Sequence, residues 1–83
     1  MKKAIFKYSI TSGIAVLPIN AQVLMVALQH GTPHVWANVN VDEDTLETYK
    51  AFPTGSMIDD ERWEHVGSWQ RGPLVWHLYR ENR

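Results

Sequence analysis

Eighty-three residues, 45% of them hydrophobic and 20% charged, make a single small domain, because so short a chain cannot bury two separate cores. A formal net charge of -1, with four Trp, three Tyr and two Phe, excludes an extended disordered chain and a protein that binds duplex DNA by neutralising phosphates. The absence of Cys removes disulfides, thiolate metal sites and Cys nucleophiles at once. A core this small is marginal for a lone monomer, so the surplus of Trp points to aromatic surface shared with a ligand or a second copy, and a homo-oligomer is expected.

Met1-Lys2-Lys3 followed by apolar residues imitates a signal peptide. Lys7, Ser9, Thr11 and Ser12 interrupt the apolar stretch and Pro18 stops it, so a cytoplasmic protein is expected. No window approaches the ~20 apolar residues of a spanning helix, and no membrane partner is expected.

Short apolar runs punctuated by Gly, Pro, Asn and Asp predict an all-β fold, a small antiparallel sheet or sandwich built from hairpins with at most one helical turn. The first strand is predicted over Ala4 to Ile10, with Phe6, Tyr8 and Ile10 on one face. Ile14 to Ile19 predicts a short strand confined to an edge by Pro18. Val23 to Gln29 and His34 to Val41 flank His30-Gly31-Thr32-Pro33 and predict a hairpin. Pairing Gln29 with His34 gathers Leu24, Val26, Leu28, Val35, Ala37 and Val39 on a core face, leaving Trp36 outside among Asn38, Asn40 and His34. Thr45 to Phe52 reads as a strand ending at Pro53, and Met57 to Glu64 as a loop able to close one helical turn. His65 to Gln70 and Pro73 to Arg80 flank Arg71-Gly72 in a second hairpin. Pairing Gln70 with Pro73 sets Gly67 opposite Trp76 and His65 opposite Leu78 on the face that holds Trp69 and Trp76 in the core, with Val66, Ser68, Val75 and His77 on the other face.

Four histidines invite a metal hypothesis, but no thiolate or helical His-x-x-x-His seat accompanies them, so hydrogen-bonded or surface imidazoles are expected and no metal or other cofactor. Ser56, Asp59 and His65 lack the strand-turn-helix elbow of a nucleophilic serine, so no catalytic residues are assigned. The acidic runs Asp42-Glu43-Asp44 and Asp59-Asp60-Glu61 read as solvated turns. The more informative combination is aromatic rings with cations and amides, since bases stack on rings while phosphates take Arg. Trp36 is the Trp that register places outside the core, and its face is the expected contact for a ligand or subunit.

Lys7-Tyr8, the strand Val23 to Gln29, Gly31-Thr32-Pro33, Trp36-Ala37, Val66-Gly67-Ser68-Trp69-Gln70, Gly72 and Leu74-Val75-Trp76-His77-Leu78 together resemble a family of short, mostly phage-encoded proteins of unknown function. The resemblance spans nearly the whole chain and departs at the acidic loop Asp59 to Glu64. It implies a phage or prophage origin, a host-cytoplasmic location and a role against host defence. On that footing the expected function is non-enzymatic capture of a nucleotide-derived signal, a cyclic dinucleotide or a cyclic ADP-ribose, in a pocket completed by a second subunit. Trp36 and Tyr79 would stack on bases, Arg71 and Arg80 would neutralise phosphate, and Asn38, Asn40 and His77 would read polar edges. The alternatives are a module that docks its Trp36 face on a host protein, and a small hydrolase of such signals using His30, His34 or His77.

Overall fold

Alternation of apolar and polar residues in short segments, broken by turn formers, yields seven strands in the computed structural model, which describes residues 2–82. They are β1 (Lys3–Ser9), β2 (Ile14–Pro18), β3 (Gln22–Gln29), β4 (Thr32–Asn40), β5 (Leu46–Pro53), β6 (Trp63–Arg71) and β7 (Leu74–Glu81). No helix forms among the described residues. The predicted helical turn reduces to hydrogen bonds from Arg62 N and Trp63 N to the Asp59 carbonyl.

Two antiparallel sheets result, one in the order β1-β4-β3 and the other β2-β5-β7-β6. Inward residues of both form a single core, with Leu17, Val35, Val39, Tyr49 and Leu78 fully buried. Four of the buried residues are alanines, Ala15, Ala21, Ala37 and Ala51, and small side chains let two sheets lie close. The molecule is accordingly only 18 Å across its thinnest dimension.

Tight turns with left-handed residues make the connections. His30 and Gly31 have φ of 52° and 78°, a type I′ pair that joins Gln29 to Thr32. Ser12 and Gly13 repeat the pattern at 52° and 77° between Thr11 and Ile14, and there the chain leaves one sheet for the other. Gly72 at 58° and Pro73 join Arg71 to Leu74.

These turns correct both predicted hairpin registers. The first pairs Gln29 with Thr32 and not His34; the second pairs Arg71 with Leu74, setting Trp69 opposite Trp76 and Gly67 opposite Leu78. Each shift amounts to two positions, so inward and outward faces survive it. Bulges change the faces where they fall. Between Val23 and Met25 the register slips, so Leu24, expected in the core, is 48% exposed while Val23 packs inward. Between His65 and Gly67 a second slip turns Val66 inward and pairs His65 with Tyr79, not with Leu78. Gly67 is then roofed by β3 and not by Trp76: a Cβ built on it would lie 2.5 Å from Val26 Cγ2.

Candidate functional site

At one end of the sandwich the core side chains stop short and leave a cavity of about 600 Å³. Its walls are the Thr11-Ser12-Gly13 corner, the Gly31-Thr32-Pro33 tip of the first hairpin, and Trp69, Arg71, Leu74 and Trp76 near the tip of the second. Trp69 and Trp76, directly paired across β6 and β7, lie nearly parallel at 13° with centroids 6.4 Å apart. Trp69 is only 7% exposed, and its indole N–H finds no acceptor among the described residues. The cavity therefore combines two large aromatic faces, three hydroxyls and a guanidinium, the mixture expected of a site for an aromatic, anionic small molecule.

Of the residues expected to bind ligand, Arg71 lines this cavity. Trp36, Asn38 and Asn40 stand together elsewhere, on the outer face of β1-β4-β3, with Trp36 between Lys7 and Met25. The His34 ring lies 6.0 Å from Trp36, and Asn40 Oδ1 accepts from Asp42 N at 3.0 Å. Ile5, Leu24 and Met25 are about half exposed or more on that face, so it is apolar with a basic border from Lys3 and Lys7.

His77 and Tyr79 occupy the opposite side of the molecule, the outer face of β2-β5-β7-β6. There Phe52 meets Trp63 and Tyr79 edge to face, and Tyr79 meets His65 at 5.2 Å. His77 is held between Ser68 and Thr54, each at 2.8 Å. A shallow cleft of about 210 Å³ opens beside it. Within one chain, a small molecule touching Trp36 cannot also reach Tyr79.

Arg80 points between the sheets, where Glu64 pairs with its guanidinium. It also lies beside the buried Tyr49 hydroxyl, whose pKa is raised first by burial and then by the Glu47 carboxylate, against the opposing pull of Arg80. Tyr8 is raised by burial alone. Glu43 is held below the usual carboxylate range because its side chain accepts from Thr45 N at 2.9 Å. No group of three or more His, Asp or Glu converges for a metal among the described residues.

Sequence reasoning placed Trp69 and Trp76 inward but not at a cavity, because inwardness along a strand does not reveal where the opposing sheet ends. The Ser12-Gly13 corner was also missed, although a Ser-Gly pair between two β-like runs is a turn signal. The Ser68 contact with His65 was hidden by the bulge, for which Gly67 inside a strand is the one sequence cue.

No helix among the described residues is long and apolar enough to cross a membrane. No curated protein matches the chain, and no solved structure does. A family model described as a domain of unknown function, DUF7352, matches residues 1–83, and the chain belongs to that family.

Proposed function

We propose that this is a phage-encoded binding protein that sequesters a nucleotide-derived immune signal in the host cytoplasm without cleaving it. The observation that carries the reading is the end cavity, whose volume of about 600 Å³ falls within the ~300–1,000 Å³ of small-molecule sites. Trp69 and Trp76 supply faces for a base, and Thr11, Ser12 and Thr32 supply hydroxyls for ribose or phosphate edges. Arg71 is the phosphate cation, in place of Arg80, whose charge is engaged by Glu64. One guanidinium per cavity balances one phosphate. A cyclic dinucleotide carries two, so its capture calls for a second subunit's cation, and the protein acts as a homo-oligomer.

Isothermal titration with a panel of cyclic dinucleotides and cyclic ADP-ribose isomers tests this. Saturable binding to at least one member is expected, weakened about tenfold or more by Arg71→Ala or Trp76→Ala, a loss of at least ~1.4 kcal/mol. Silence across the panel would sink the proposal, and chromatography of recovered ligand should find it intact.

A second reading rests on the outer face of β1-β4-β3, where Ile5 is 64% and Met25 50% exposed beside Trp36, Asn38 and Asn40. An apolar patch with amides at its edge suits an interface core, and the protein would then inhibit a host factor by docking there. A stoichiometric host protein retained on the wild-type chain and released by Trp36→Ala is its signature.

A further inference from the structure

We propose that Ser68 is an activated nucleophile for acyl transfer, with His77 as its base, on the outer face of the four-stranded sheet. This site shares no residue with the end cavity, and the proposal stands apart from ligand capture there. Four contacts define it. Ser68 Oγ lies 2.8 Å from His77 Nδ1, and His77 Nε2 lies 2.8 Å from Thr54 Oγ1. Thr54 Oγ1 donates to the Val75 carbonyl at 3.1 Å, and His65 Nε2 lies 2.9 Å from Ser68 Oγ.

Counting protons gives these contacts a direction. The single Thr54 hydroxyl proton goes to the Val75 carbonyl, so Thr54 Oγ1 accepts from His77 Nε2–H. A neutral imidazole protonated at Nε2 presents a lone pair at Nδ1, and Ser68 donates its proton there. The remaining lone pairs of Ser68 Oγ accept His65 Nε2–H. Run in reverse, the chain would spend the Thr54 proton on His77 and forfeit the bond to Val75. The tautomers are thus assigned by the one arrangement that makes all four bonds.

Nucleophile, base and a third group that orients the base are the parts that activate a hydroxyl in acyl-transfer sites generally. Thr54 orients His77 but carries no charge to stabilise an imidazolium, so reaction is confined to acyl groups with good leaving groups. Ser68 is exposed, and the cleft of about 210 Å³ beside His77, walled by Phe52, Ile58 and Tyr79, has room for a short acyl chain or an aryl ring. The substrate class is therefore a small, uncharged, activated ester.

In the reaction Ser68 Oγ bonds to the acyl carbon while its proton passes to His77 Nδ1. The carbonyl π pair moves onto oxygen, with His65 Nε2–H the donor nearest that charge. Collapse restores the carbonyl and expels the leaving alkoxide or phenoxide, which takes the proton from His77. Water, deprotonated by His77 in turn, then attacks the acyl-serine and releases carboxylic acid and free Ser68.

The test uses the full chain with p-nitrophenyl acetate and with a fluorophosphonate probe, read by intact mass and peptide mapping. One adduct on Ser68 is expected. Ser68→Ala should carry none, His77→Gln should slow labelling by about a hundredfold or more, and Asp44→Ala, in an exposed loop, should leave it unchanged. Mapping of the wild-type protein decides the matter even where a variant folds poorly: no adduct, or one on a Tyr or Lys instead of Ser68, overturns the proposal. Equal labelling of wild type and folded His77→Gln overturns it too.

Discussion

Tyr49 carries a phenol into the centre of the sandwich with no exposure to solvent. Burial, and next the Glu47 carboxylate, favour its neutral form, so its folded pKa lies above the value near 10 that it has when unfolded. The unfolded chain therefore loses this proton first as pH rises. Stability from the neutral phenol is complete below about pH 10 and is lost as pH climbs towards the folded value. Denaturant unfolding followed across the alkaline range should show stability declining in the wild type and a flatter profile in Tyr49→Phe. At neutral pH the same substitution should cost little or even stabilise, because the buried hydroxyl has no hydrogen-bond partner among the described residues to lose. An unchanged alkaline slope in Tyr49→Phe would assign that decline to other groups.

Among the elements, the most extensive contact between sheets is that of β3 with β6, where Gly67 admits Val26. Gly67→Ala puts a methyl where Val26 Cγ2 already lies and should destabilise the fold by about 1–3 kcal/mol, as overpacking does, measured by urea unfolding. Val26→Ala alone also costs stability, by leaving a void, yet in the double variant the two losses should sum to less than their separate values. Strict additivity would mean that the sheets do not meet there. The same junction separates what was legible in the sequence from what was not. Alternation assigned Val26, Leu28, Val35, Ala37, Val39, Trp69 and Leu78 to the inside even though both hairpin registers were two positions off, because faces repeat every two residues. Bulges break that protection. They reversed Leu24, Val66 and His65, since whether a strand absorbs an extra residue depends on the partner it must follow and not on its own pattern. The candidate site suffered most: Trp36 was rightly placed outside, yet Arg71, Tyr79 and Trp36 belong to three separate surfaces that only the stacking of the two sheets defines.

For the molecule as a whole, the thin build leaves little core to resist unfolding, and a bound ligand should then count heavily. If the end cavity takes a cyclic nucleotide, a free concentration a hundredfold above Kd should add about 2.7 kcal/mol to stability. Sedimentation of the same sample should give a single assembly larger than one 9.6 kDa chain, as two phosphates shared between two Arg71 side chains require. A monomer with an unmoved melting temperature would remove both capture and assembly. The place of the cavity adds something further. One wall comes from the hairpin tip of the three-stranded sheet, another from the tip of the four-stranded sheet, and a third from the Ser12-Gly13 corner where the chain passes between them. Whatever sits there is a rivet through both layers. A ligand seated there would touch both layers at once, so its binding should also slow the parting of the two sheets.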